Sequence, residues 1–159
     1  MPYAEGTEVP VPRSKEHLEA LLRRAGAQGF ASAWDPHGDL IEFMWKGLRI
    51  RFHLPKKDPK EFRLTKRGQM RTPTQLTAAL EQDHRQRWRA LFLVVKAKIE
   101  AVESGISVFE EEFLAHIVDP ASDRTIGHVL VPRIQNQQQL LLGDGAEASK
   151  TPRRPQHAG

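Results

Sequence analysis

Cysteine is absent from this 159-residue chain. That excludes disulfides and thiolate metal sites, and it fits a reducing, cytoplasmic setting. No apolar run approaches the roughly 20 residues that a membrane span requires, so no membrane association is expected. The opening Met1–Gly6 has neither the basic nor the apolar stretch of a secretory signal. Aromatic residues are few, at 7%, and hydrophobic residues make up 39%. The apolar positions concentrate between Phe30 and Ile134, so a single modest core is expected there, with poorly ordered ends.

Positive charge is missing from one block. From Ile99 to Asp123 there are seven acids and no Lys or Arg. From Lys46 to Lys98 the balance reverses, with 15 Lys and Arg against four acids. The net charge of +4 therefore hides a basic block beside an acidic one. Two readings are open. The basic block faces a polyanion while the acidic block forms a separate surface, or the two neutralise each other within or between subunits.

The pattern along the chain predicts an α+β fold. It has an N-terminal helix, a three-stranded antiparallel sheet, one long helix packed on the sheet, and short C-terminal helices. Residues 1–13 read as an extended arm. Ser14 is placed to cap a helix over Lys15–Ala25, in which Leu18, Leu21, Leu22 and Ala25 follow helical spacing. Gln28–Trp34 is a strand with a weak pattern, and Asp35–Asp39 is a turn. Leu40–Trp45 and Leu48–Leu54 form a hairpin whose two-residue loop, Lys46-Gly47, sets the register. Trp45 then faces Leu48, Phe43 faces Ile50 and Ile41 faces Phe52, giving one apolar face. Arg49, Arg51 and His53 project from the other face, which is expected to be basic and solvated.

Residues 55–71 read as a mobile basic loop, with Lys56, Lys57, Lys60, Arg63, Lys66, Arg67 and Arg71 interleaved with Phe62, Leu64 and Met70. A helix over Pro73–Ser104 follows. Thr72 is its N-cap, Pro73 occupies the first helical position, Gln75 completes a capping box, and Gly105 follows the end. His84, Trp88, Leu91, Phe92, Val95, Ile99 and Val102 fall on one arc, the natural core stripe. Trp88 is assigned to that core rather than to base stacking. Arg85, Arg89 and Lys96 lie together on another side. Ser107 is placed to cap a short helix reaching about Val118. Thr125 is placed to cap a further helix, interrupted at Pro132 and continuing to Leu142. The single domain thus spans 14–142, and 143–159, rich in Gly, Ala, Ser, Pro and Arg, is predicted to be disordered.

Motifs that specify a reaction are lacking. Glu112 and His116 have the i, i+4 spacing of a metal pair, but no second pair accompanies them. No nucleophile signature, phosphate loop or cofactor motif is present. No catalytic residue, metal or cofactor is assigned, and the one enzymatic alternative is a metal-dependent nuclease whose site these residues do not assemble. The candidate nucleic-acid-binding set is Arg49, Arg51, Lys56, Lys57, Lys60, Arg63, Lys66, Arg67, Arg71, Arg85, Arg89 and Lys96, long cations suited to phosphate. Phe62 is the stacking candidate in the loop. Glu110, Glu111 and Glu112 form a candidate protein-interaction surface. A basic ridge and an acidic end on one helix also allow antiparallel pairing between copies.

Three stretches carry a resemblance. They are Arg85-Gln86-Arg87-Trp88-Arg89-Ala90-Leu91, then Lys96-Ala97-Lys98-Ile99-Glu100-Ala101-Val102-Glu103-Ser104-Gly105-Ile106, then Phe109-Glu110-Glu111-Glu112-Phe113-Leu114-Ala115-His116-Ile117. Together with Tyr3–Thr7 and Val11–Ser14, they resemble a family of small uncharacterised proteins carried by bacteriophages, prophages and related mobile elements. The resemblance spans about residues 3–134, and the Gln-rich stretch and Pro/Arg tail depart from it. It implies a phage-related context and a role around phage DNA, and it transfers no site residues. The order α-β-β-β-α is also similar to double-stranded RNA-binding domains and, in part, to single-strand annealing proteins, at the level of fold alone. The expected function is non-catalytic binding of DNA or RNA, single strands favoured, in the cytoplasm. The alternative is a module that inhibits or adapts a host or phage protein.

Overall fold

The computed structural model describes residues 4–147, with side-chain surroundings defined through Gln139. Its elements are α1 (Val11–Arg24), β1 (Gln28–Asp35), β2 (Gly38–Trp45), β3 (Leu48–Pro55), α2 (Pro73–Glu103), α3 (Phe109–Phe113), β4 (Val118–Asp119), β5 (Arg124–Thr125) and α4 (Ile126–Glu147). The fold is α+β, with an antiparallel sheet in the order β1-β2-β3 and a separate two-stranded β4-β5 ribbon. No helix among the described residues is long and apolar enough to cross a membrane.

The hairpin has the predicted register. Trp45 pairs with Leu48, Phe43 with Ile50 and Ile41 with Phe52. Lys46 and Gly47 both take positive φ, as a tight two-residue turn requires. The apolar face packs against the α2 stripe, where Trp88, Leu91, Val95 and Ile99 are buried. Leu18, Leu21 and Leu22 of α1 join the same core. Phe109 and Phe113 of α3 close one end, meeting the Trp45 ring edge-on at 5.0 and 5.5 Å. The Trp45 indole N–H donates to the Ala25 carbonyl, 3.1 Å away.

α2 is capped as its sequence predicts. The Thr72 hydroxyl accepts from the Gln75 N–H at 3.3 Å, and the Gln75 side chain accepts from the Thr72 N–H at 2.9 Å. Gly105 follows its end at φ +73°. Its 31 residues make a rod of about 46 Å.

Several expectations need correction. α1 begins at Val11, not Lys15, because Pro10 serves as N-cap and Pro12 sits in the first turn, where a missing N–H costs nothing. The 1–13 arm is correspondingly shorter. Ser14 is therefore not a cap. It is fully buried, and its hydroxyl has no partner among the described residues. β1 is exposed along nearly its whole length, with Phe30 the one partly covered apolar side chain packed on the core, which explains its weak pattern. Ser107 does not cap α3; Val108 is the N-cap, without a side-chain bond. The chain leaves helical geometry after His116, and Ile117 bridges to Ile50 at the sheet edge. Pro132 does not interrupt α4, which runs on to Glu147, so the predicted disordered tail begins inside a helix; the rest of it, 148–159, lies outside the described residues. The His128 carbonyl, deprived of its partner by Pro132, lies 3.4 Å from the Arg124 guanidinium.

The segment 55–71, predicted as a mobile loop, is folded on itself. Asp58 caps a 3₁₀ turn over Pro59–Phe62. Leu64 bridges to Met70, and the Arg71 guanidinium donates to the carbonyls of Phe62 (2.7 Å) and Leu64 (2.8 Å).

Ser14 and Thr72 give opposite expectations for the same substitution. T72A should lose about 1 kcal/mol in urea unfolding, because it removes a working cap. S14A should be neutral or stabilising, because it removes a buried hydroxyl without a partner. A loss of about 1 kcal/mol in S14A would show instead that the Ser14 hydroxyl makes a stabilising bond.

Candidate nucleic-acid interface

The twelve predicted cations divide by what each side chain touches. Arg49 and Arg51 do not form an open basic face. Arg51 Nε donates to Glu42 Oε2 at 2.8 Å, its Nη1 to the Asp123 carbonyl at 2.7 Å, and its Nη2 to the Asp123 carboxylate at 3.1 Å. Arg49 pairs with Asp123 and Glu42. The turn between β4 and β5 swings over this face and delivers Asp123 in a left-handed conformation that Asp tolerates. Hydrogen bonds from Arg51 and then Arg49 hold the Asp123 carboxyl below its ordinary pKa. Part of the acidic block thus neutralises part of the basic block within one chain. Lys98 does the same with Glu112, donating to its carboxylate at 3.1 Å and its carbonyl at 2.8 Å.

The arginines of α2 are also occupied. Arg85 donates to Gln82 at 2.6 Å, and Arg89 lies over the Phe92 ring at 4.7 Å with His17 of α1 beside it. Both are half-buried, and His17 places α1 against Arg89. Lys96 remains exposed. In the 55–71 segment, Lys57 pairs with Glu61 at 3.5 Å, the exposed Lys66 lies 3.6 Å from Glu5, and Arg71 holds the loop together. Lys56, Lys60, Arg63 and Arg67 are exposed and make no ion pair among the described residues. Phe62 is half-buried, so it offers no open ring.

The spacing of Glu112 and His116 does not become a shared site. Glu112 is held by Lys98, and the His116 ring stacks on Phe52 at 4.0 Å. No group of three or more potential metal ligands occurs among the described residues. Glu110 and Glu111 are exposed.

The structure adds a cleft that composition and spacing did not reveal. Its volume is about 440 Å³, and it opens between the β1–β2 turn, the end of β3 and α2. Trp34, Lys15, Lys56, Asp39, His84 and Arg87 are among its lining residues. Asp39 is 8% exposed, and both of its side-chain hydrogen bonds fall on Oδ2. The indole N–H of Trp88 donates to Asp39 Oδ2 at 2.8 Å, and His84 Nε2 contacts the same oxygen. The Trp88 N–H also lies 3.2 Å from His84 Nε2, so the three groups form one cluster. Burial raises the Asp39 pKa, but the hydrogen bonds from His84 and Trp88 outweigh it, so the carboxyl lies below its ordinary value. Arg87 donates to the Pro55 carbonyl and lies 3.7 Å from Asp83, tying the start of the basic segment to α2.

The exposure of Trp34 and the burial of Asp39 were not legible because each sits beside a turn, where periodicity says nothing of exposure. The available signal was the strand pattern itself. β1 has almost no apolar alternation, which already implied an open Trp34.

No protein-family model matches the chain, and neither do characterised protein sequences or solved structures.

Removing the Asp39 carboxylate should leave the buried Trp88 N–H without its acceptor. D39A is expected to lose about 1–3 kcal/mol in urea unfolding. His116 yields a pH dependence. Burial first, and then Lys98, lower its pKa, so the folded state favours the neutral ring. The unfolded chain then binds the proton more readily, and stability should fall as pH drops below about 6.5. Urea midpoints at pH 7.5 and 5.5 check this; H116F should show a smaller loss across that interval.

Proposed function

We propose that this protein is a non-catalytic nucleic-acid-binding accessory factor of phage or prophage origin. It acts in the cytoplasm and binds DNA or RNA through the phosphate backbone, with single strands favoured. The observation that carries the reading is the group Lys56, Lys60, Arg63 and Arg67. These cations are exposed on a segment fixed by its own hydrogen bonds, and no carboxylate of the described residues neutralises them. Backbone binding draws its affinity from such charges through counterion release. The preference for single strands follows from Trp34, which is 80% exposed beside the same segment. An open indole accepts the face of an unpaired base, which a duplex withholds. Lys96 and the exposed Lys66 extend the basic surface, while Arg49 and Arg51 serve the fold.

A second reading has its own observation. Ile106, Val108 and Leu114 are exposed near Glu110 and Glu111, which make no ion pair among the described residues. An apolar patch rimmed by acids suits a basic protein partner or a second copy of this chain. Light scattering reports the latter, and partner retention after nuclease treatment separates a protein contact from nucleic-acid bridging.

Binding of labelled single- and double-stranded DNA and RNA, followed across a salt series, tests the main reading. The triple variant K60E/R63E/R67E should weaken binding about equally for all sequences and flatten the log–log salt slope by about 2. Absence of binding to all four at low salt would discard the reading.

A further inference from the structure

The cleft has features that simple tracking of a phosphate backbone does not require. One wall is rigid. The Asp35 carboxylate accepts from the backbone N–H groups of His37 (2.7 Å) and Gly38 (3.0 Å), and Lys56 N–H donates to the His37 carbonyl at 2.7 Å. Gly38 has φ +149°, and a Cβ there would sit 2.1 Å from the Leu54 carbonyl oxygen. Trp34 stands at the end of this braced turn. It is an open tryptophan, whereas Trp45 and Trp88 are buried. The opposite wall is α2, which presents His84 with Nε2 committed to Asp39 and with no hydrogen-bond partner at Nδ1 among the described residues.

Charge at the cleft is settled by pairing. Asp35 is held by the turn amides, Asp39 by His84 and Trp88, and Asp83 by Arg87. Glu81 stays at the rim. Lys15 and Lys56 have no carboxylate within ion-pair distance among the described residues, although Lys15 lies over the Trp88 ring at 4.7 Å. Without a hydrogen-bond or ion-pair partner among the described residues are an aromatic face, the Lys56 ammonium and one imidazole nitrogen, with the Lys15 ammonium held over the Trp88 ring beside them. A volume of about 440 Å³ suits a small ligand.

We infer that this cleft is a site for a single nucleotide unit, with its base stacked on Trp34 and its phosphate held by Lys15, Lys56 and His84. This rests on the nucleic-acid reading above and narrows it, because one nucleotide of a bound strand, or its end, is seated apart from the others. Base stacking on an aromatic side chain tolerates any base, so no base preference is required. His84 turns Nε2 to Asp39 and offers Nδ1 to a phosphate oxygen. Asp39 is a positioning residue that sets which nitrogen faces the cleft.

The test titrates the full chain with adenosine 5′-monophosphate, adenosine, inorganic phosphate and a single-stranded 12-mer, following tryptophan emission and calorimetry. Adenosine monophosphate should quench the open tryptophan and bind at least tenfold more tightly than adenosine or phosphate. W34A should abolish the quench, and W34A and K56E should each weaken adenosine monophosphate at least fivefold. Both side chains are exposed, so neither variant endangers folding; H84A, which disturbs Asp39, is a secondary variant. If the 12-mer binds while adenosine monophosphate neither binds nor competes, the cleft site is overturned and backbone binding stands. Equal affinity in W34A and the parent overturns it too. Failure of every ligand at low salt overturns both.

Discussion

One packing contact carries the rest of the molecule. The Trp88, Leu91, Val95 and Ile99 stripe of α2 lies on the apolar face made by Ile41, Phe43, Ile50 and Phe52. Each side chain of that size contributes about 1.5–3 kcal/mol when buried, against about 0–1 kcal/mol for an exposed ion pair. The apolar contact therefore fixes where α2 sits, and the charged groups arrange themselves around it. Asp39 is the polar exception within the joint. A buried carboxylate is costly unless satisfied, and Trp88 and His84 satisfy it from the helix side. The same contact that anchors the hairpin to the helix also aims an imidazole into the cleft.

Charge follows from that arrangement. The basic and acidic blocks of the sequence pointed to two separate surfaces or to mutual neutralisation, and the protein uses some of each. Asp123 reaches back to Arg49 and Arg51, and Glu112 to Lys98. These pairs join residues far apart in sequence, so they serve to seat the β4–β5 ribbon and α3 on the rest of the fold. What they leave behind is a smaller, more local set of cations at Lys56–Arg67, next to an exposed tryptophan.

The sequence was legible wherever the determinants were local. The hairpin register follows from a two-residue turn and strict alternation, and the α2 start follows from a Thr-Pro-Thr-Gln capping box. Trp88 was recognisable as core from its neighbours on the helical arc. Local reasoning failed where two signals competed or a distant segment intervened. Ser14 looked like a cap, but Pro10 and Pro12 had already started the helix a turn earlier. Arg49 and Arg51 looked solvated because nothing near them in sequence shows that Asp123 folds over them. The 55–71 segment looked mobile because its composition is polar and basic, while its order comes from Asp58 and Arg71 bonding to backbone groups.

The sequence by itself determined the α+β element order, the apolar face of the hairpin, the extent of α2 and the supply of cations, because periodicity, turn chemistry and capping act over a few residues. Tertiary structure alone decided which cations remain free, that Phe62 is half-covered while Trp34 is open, and that Asp39, His84 and Trp88 meet. Those outcomes depend on which distant side chains are brought to a given charge or surface, and that is set by packing around the α2 stripe rather than by any neighbour along the chain.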